Sequence, residues 1–531
     1  MNQTFDIVIC GGGSAGCVVA GRLCELDPTL RVALVEAGDE PARNPEVLRA
    51  DGYKDAFAND AVIWERFSAP QPGCDDHRLF VGSGRGLGGS GSVNAMVYTR
   101  GARADFDAWE LDGWRWDDLV EDFAAVERVL RLNRRPPTTM TEVCIEAAEQ
   151  VGFERATDFN DGRLSGRLGY EWMNYDGDER RSSYVSFLLP KRDHPNLDVM
   201  TRTRVQRLLV DGDRVTGVEV HDAEGRPRVL EAKREVVLAA GAIETPKLLL
   251  LSGIGPREAI EPHGIRLRHE LTGVGANFHD HPNVTLFFRG KQAVDFNYPQ
   301  LYGFHRANPW TDWTEDEADV CYVFYPARSS FREALVRLLP GIALPQPLYR
   351  VDALRQGMRE GVKLAFESQT LRDFIARIYG LVVILGKPQS RGSVRLRSAS
   401  PADEALVDPA YFSDPADMDT MIFAVRHARR IANALPLCRW GNDELMPGWS
   451  KTNHIDLERF IRGNAMTTYH FAGTCRMGHD AASVVDTRLR VRGLRGLRIA
   501  DASVIPTVPV SALNAPSMLI GYRAARFVHE G

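Results

Sequence analysis

Apolar and polar positions follow several rhythms along this chain, and the first forty residues are the most legible. Phe5-Asp6-Ile7-Val8-Ile9-Cys10 is almost continuously apolar and predicts a short buried strand. Gly11-Gly12-Gly13-Ser14-Ala15-Gly16 follows without a gap, and a helical run then carries Ala20, Leu23 and Leu26. Residues 31–35 supply a second strand that ends at Glu36. Strand, glycine loop, helix, strand and acid in this order predict a dinucleotide-binding unit. Gly11 permits the tight turn, Gly13 lets a pyrophosphate approach the backbone, and Gly16 lets helix and strand pack closely. The diphosphate would rest on the helix N-terminus, where unpaired N–H groups and the helix dipole favour negative charge. Glu36 is placed to bind ribose hydroxyls and to repel a 2′-phosphate.

Further elements follow from the same kind of reading. Residues 236–240 form an apolar strand entering a turn at Gly241, and residues 497–500 a second one with Asp501 at its carboxyl end. Residues 204–210 and 215–220 alternate around Asp211-Gly212-Asp213 as a hairpin. Residues 382–385 and 392–397 read as strands of an antiparallel sheet. Asp414-Pro415 is a helix start, and Met418, Ile422, Val425 and Ile431 continue with helical periodicity towards Leu435. The stretch from 331 to 379 is less regular. Leu335, Leu338 and Leu339 precede Pro340-Gly341; Leu354, Met358, Val362 and Phe366 then recur at four-residue steps, interleaved with Arg355, Arg359 and Lys363. Such stripes fit amphipathic helices covering a core or meeting a second copy in a homodimer; a mobile lid or a peripheral membrane contact is the alternative.

At 531 residues the chain exceeds a single dinucleotide domain, so at least one further domain is expected. With 44% hydrophobic and 26% charged residues and a net charge of −6, it carries no polybasic block that would suggest nucleic acid. The first strand starts close to Met1, leaving no room for a signal peptide, and no apolar run is long enough to span a bilayer. A cytoplasmic location is the expectation. The eight cysteines include no C-x-x-C pair, and neither metal ligation nor disulfides are expected.

A second glycine-rich segment runs from Gly84 through Gly86, Gly88, Gly89 and Gly91 to Asn94, then past Tyr98 and Gly101 to Asp107. Leu87, Val93 and Met96 set it apart from a solvated spacer, and its glycines let backbone lie flat against a planar ligand. This segment resembles the first signature of the glucose–methanol–choline (GMC) flavin oxidoreductases. Residues 241–255 are similar to the second signature, and residues 274–282 to another recurring family stretch. Tyr469-His470, Asp501-Ala502-Ser503 and Asn514-Ala515-Pro516 match the family's catalytic and flavin-closing segments.

The resemblance covers nearly the whole chain. It implies an α/β fold: a Rossmann-type, doubly wound FAD-binding domain with a second α+β substrate domain built on an antiparallel sheet. The FAD-binding domain is expected from residues 1–165, 195–280 and 485–531, and the substrate domain from 166–194 and 281–484. The implied cofactor is FAD. Its contacts would come from Gly11, Gly13, Ser14, Ala15 and Gly16, from Glu36 and Ala37, from Trp64, and from Gly86 and Gly89. Further contacts would come from Asn94, Ala95, Met96 and Val97, from Val205 against the adenine, from Ala240 and Gly241, and from Asp501 (to the ribityl hydroxyls), Ala502 and Pro516.

An alcohol gives up a hydride readily only when its hydroxyl proton leaves at or before the transfer. The site therefore needs a base near the carbinol oxygen and a donor for the developing alkoxide. Thirteen histidines are present, and composition does not choose among them. The resemblance selects His470 as the base and aligns Asn514 with the family's second catalytic position. Asn cannot act as a base, but its amide donates a hydrogen bond. Asn514 also reads as a helix N-cap before Ala515-Pro516. Tyr469 either shapes the substrate pocket or simply packs.

The implied reaction is oxidation of a small primary alcohol to an aldehyde, with electrons passed on to O2 or to another small-molecule or protein acceptor. Similarity to bacterial choline dehydrogenases, aryl-alcohol oxidases and hydroxymethylfurfural oxidases specifies the substrate no further than an alcohol. The competing reading is a hydroxynitrile-lyase-type member with structural FAD. Some relatives attach FAD through a His in the first signature, where this chain has Val93 and Asn94, so FAD is expected to be non-covalent. Acid precipitation of the yellow protein should leave the flavin in the supernatant; colour retained in the pellet would reveal a covalent link.

Overall fold

The computed structural model describes residues 3–531. The first strand, Gln3–Cys10, lies at the centre of a seven-stranded sheet. It pairs in parallel with Val32–Val35 on one side and Pro227–Leu238 on the other. Leu197–Met200 extends the sheet beyond Val32–Val35, and Leu497–Ile499 adds in parallel to the end of Pro227–Leu238. Arg204–Asp211 and Arg214–His221 form the expected hairpin, turned at Gly212 with φ +57°, and close the other edge. The helices Ser14–Leu26 and Asn514–Glu530 share the core that covers this sheet, so the two ends of the chain meet.

The glycine turn explains how sheet and helix come together. Gly11 adopts φ +110°, and a Cβ there would lie 2.4 Å from the Ala239 carbonyl oxygen. A Cβ on Gly16 would lie 1.9 Å from the Gly11 oxygen, so only glycine lets the helix sit this close to the strand.

The second sheet is antiparallel, in the order Leu301–His305, Val320–Pro326, Ile378–Leu385, Pro282–Arg289 and Asp443–Met446. Met466–Thr467 joins the start of Pro282–Arg289. The long helix Pro415–Ala432, capped by Asp414 accepting from the Ala416 N–H, covers it through Met421, Ile422, Val425 and Ile431.

Three local readings change. Met140, Cys144 and Ile145 of helix Thr139–Glu149, expected with the FAD-binding part, pack with Phe153 and Leu168 in the core that covers the second sheet. Conversely Tyr184, Val185, Phe187 and Leu188, expected with the substrate part, pack against the first core. Ser393–Arg395 does not join the second sheet but pairs with Leu406–Asp408, because Gly392 is tied to Phe278 by reciprocal backbone hydrogen bonds of 2.7 and 3.1 Å.

The stretch 331–379 forms helices Ala327–Ala343, Gln346–Tyr349, Asp352–Ala365 and Gln369–Ile375. In Asp352–Ala365 the stripe is only partly inward. Val362 is buried and Leu354 exposed, while the interleaved Arg359 is buried against Asp60 at 2.7 Å. Arg337, with no exposed side-chain surface, binds Asp60 at 2.6 Å, Glu65 at 3.2 Å and the Phe57 carbonyl at 2.8 Å. Guanidinium–carboxylate pairs and the packing of Leu338 against Phe57 and Phe80 both seat these helices on residues 57–65.

Gly16→Ala should lower the yield and melting temperature of folded protein, since overpacking at such a junction costs about 1–3 kcal/mol or more. Gly13→Ala should not: its Cβ would meet only the Ala239 oxygen, at 3.9 Å. That variant should melt like the wild-type apoprotein while losing bound flavin, read from the flavin-to-protein absorbance ratio. Equal melting of the two variants would contradict this division.

Candidate active site

A cavity of about 920 Å³ runs between the two sheets and meets the carboxyl end of the first strand. At its nucleotide end, helix Ser14–Leu26 begins after Gly13 with no side-chain cap, so its first N–H groups are free for an anion. Gly11, Gly13, Ser14, Ala15, Glu36, Ala37, Trp64, Gly89, Asn94, Ala95, Val97, Val205, Ala240, Gly241, Asp501 and Ala502 all line this cavity. Gly16, Gly86, Met96 and Pro516 do not. Gly16 is consumed by helix packing and Pro516 is buried in the C-terminal helix. Met96 adopts φ +66° and buries its side chain in a cluster with Ala50, Tyr53, Met173 and Tyr175.

The two acids expected to grip the cofactor are also bonded to the protein. Glu36 accepts from the N–H groups of Gly12 at 2.8 Å, Gly38 at 2.7 Å and Gly86 at 3.1 Å, drawing three loops together. This is the use of Gly86. A carboxylate offers about four acceptor directions, so one on Oε2 remains open. Asp501 accepts from the Gly241 N–H at 2.9 Å, the Thr245 hydroxyl at 2.6 Å and the Ser503 N–H at 2.8 Å; burial raises its pKa.

Arg180 is a site residue with no sequence signal, standing in the unremarkable run Glu179-Arg180-Arg181. Fully buried, it donates to the Asn94 side chain at 2.8 Å, the Asn94 carbonyl at 2.7 Å and the Gly91 carbonyl at 3.2 Å, fixing the second glycine loop. Its desolvation pushes the guanidinium pKa down to about 9.

At the other end, the segment carrying His470 is clamped to residues 279–282. His279 and Ala472 exchange backbone hydrogen bonds of 3.0 and 3.2 Å, and Thr468 donates its N–H to the His281 carbonyl at 3.1 Å. Asp280 accepts the His470 N–H at 2.7 Å and the hydroxyls of Tyr411 and Thr467. Tyr469 takes φ +64°, a conformation costly for a bulky side chain, and so turns the His470 ring into the cavity. Its own ring also lines the cavity, with Phe57 at 6.0 Å and Phe80 at 6.2 Å.

The His470 ring lies nearly perpendicular to that of His281, and their Nδ1 atoms are 2.9 Å apart. His281 is the second site residue that residue-type reasoning missed, although it stands within the recognised segment 274–282. Burial lowers the pKa of His470 to about 4 and that of His281 well below its usual value, so both rings are neutral near pH 7. Among the described residues, nothing hydrogen-bonds the His470 Nε2.

Asn514 is the first residue of the C-terminal helix rather than its N-cap, and its side chain caps no N–H. Its Oδ1 accepts from the Ser14 hydroxyl at 3.3 Å, and its buried Nδ2 lacks a protein partner. An orphaned donor beside the cavity, the open space at Gly13 and an uncapped helix N-terminus together fit a dinucleotide whose redox ring reaches His470 and Asn514.

The family model for GMC oxidoreductases matches residues 5–283 with its N-terminal part and residues 388–521 with its C-terminal part. An alcohol dehydrogenase [acceptor] of Pseudomonas putida is 32% identical, covering 99% of this chain and 95% of the relative. Choline oxidase of Arthrobacter globiformis is 33% identical over 100% and 95%. The crystal structure of pyridoxine 4-oxidase from Mesorbium loti superposes with a TM-score of 0.83 at 26% identity, over 99% of both chains. The chain belongs to the GMC oxidoreductases, the FAD-dependent flavoenzymes of alcohol oxidation.

Proposed function

We propose that the protein oxidises a primary alcohol to its aldehyde, with His470 removing the hydroxyl proton and Asn514 holding the oxygen. The observation that carries this reading is the His470 ring, held through Nδ1 by His281 with Nε2 left free in the cavity. One proton lies between the two Nδ1 atoms, and we assign it to His470. His281 Nδ1 then accepts from His470 Nδ1–H, and the lone pair of His470 Nε2 faces the substrate. A ring kept neutral by burial is ready to accept that proton. The orphaned Asn514 Nδ2 is the matching donor for the oxygen as charge develops on it. The N-terminus of helix Asn514–Glu530 lies at the cavity and favours negative charge there. FAD bound in the cavity supplies the hydride acceptor. Val93 and Asn94 offer no nucleophile for a covalent link, so we read the cofactor as non-covalent.

His470→Ala should retain FAD and slow anaerobic flavin reduction by roughly 10²–10⁴. In the wild type, reduction should be flat above neutrality and fall as the pH drops towards the lowered pKa of about 4, because protonation removes the base. That acid limb should vanish in His470→Ala and persist in a slower Asn514→Ala. A His470→Ala enzyme with wild-type rate and pH profile would place the base elsewhere.

Glu36→Ala should lower FAD content more than it slows reduction in the loaded fraction, because the side chain is remote from His470 and ties three loops at the nucleotide end. Hydrogen bonds to a charged group contribute on the order of 1.5–3 kcal/mol each. Full FAD content with crippled reduction would contradict this.

A further inference from the structure

One cavity wall takes no part in the chemistry proposed above. Helix Ala327–Ala343 presents Phe331, Leu335, Leu338 and Ile342 to the cavity, at steps of four, three and four residues that put them on one helical face. Leu338 packs in the cluster that also holds Tyr469, Phe57 and Phe80, beside the base. Ile342 lines the cavity yet is 78% exposed, so the apolar wall runs from the neighbourhood of His470 out to solvent. Phe287, Val382 and Ile384 of the second sheet also line it.

Some of the polar groups beside this wall are engaged with neighbours. The Tyr325 and Ser330 hydroxyls pair at 2.9 Å. Lys54 and Glu333 carry opposite charges, and Glu333 is ion-paired with Arg332 at 2.6 Å. A polyol would not recover its hydration along this wall. The wall is also fixed in place, since Arg337 on the same helix is locked to Asp60 and to the Phe57 carbonyl.

We propose that the non-reacting part of the substrate is an apolar body, alkyl or aryl, lying along Phe331, Leu335 and Leu338, and that these residues set the preference among alcohols. This rests on the alcohol-oxidation reading of the same site. Each methylene buried against such a wall strengthens binding by about fourfold.

The FAD-loaded protein is mixed anaerobically with ethanol, butanol, hexanol, benzyl alcohol, glycerol and choline while flavin bleaching is followed. Reduction efficiency should rise about three- to fourfold per methylene from ethanol to hexanol. Benzyl alcohol should match hexanol, with glycerol and choline far behind. Leu338→Asn should cut the hexanol-to-ethanol ratio about tenfold, and Phe331→Ala, a gentler second variant, should lower it in the same direction. Binding is read separately from the perturbed flavin spectrum of His470→Ala titrated with benzyl alcohol. A flat series, glycerol or choline ahead of hexanol, or an unchanged ratio in both variants would overturn the assignment of this wall. Saturable binding of benzyl alcohol to His470→Ala, with no alcohol bleaching the wild type, would support the apolar site while removing the oxidation reading.

Discussion

The end of the cavity that holds His470 depends on one buried carboxylate. Asp280 sits where the chain leaves the nucleotide-binding layer for the second sheet, and its oxygens collect the His470 N–H and the hydroxyls of Thr467 and Tyr411. Burial pushes its pKa up to about 6 against the pull of those donors. The carboxylate is stable there only while all of them converge, and that convergence holds segment 466–472 in register with residues 279–282. The left-handed Tyr469 and the contact between His281 and His470 follow from that register.

Much of the nucleotide half was legible because glycine has few substitutes. The turn at Gly11 and the close approach at Gly16 each require a missing Cβ, and these demands leave a fixed spacing in the sequence. Edges between layers were harder to read. Helix Thr139–Glu149 has an ordinary apolar face, and nothing in its periodicity says which sheet that face covers. Ser393–Arg395 alternates like any strand, and only the backbone bonds between Gly392 and Phe278 decide its partner.

Most residues that the resemblance selects line one cavity, but their bonding within the protein was not legible. Glu36 and Asp501 line the cavity, but protein donors already occupy most of each carboxylate. His281 and Arg180 act on His470 and Asn94 across long sequence separations, through geometry that no local pattern encodes. The segment 331–379 shows the same limit: its periodicity predicted helices, but not that Arg337 and Arg359 would be buried against the carboxylates of Asp60 and Glu65.

Those carboxylates, Asp60 and Glu65, stand on either side of Trp64, whose indole faces the guanidinium groups of Arg66, Arg85 and Arg204 at the nucleotide end of the cavity. A single short loop thus belongs to both ends of the enzyme. Residues 60–65 touch the nucleotide end of the cavity through Trp64 and the helix Ala327–Ala343 through Asp60 and Glu65.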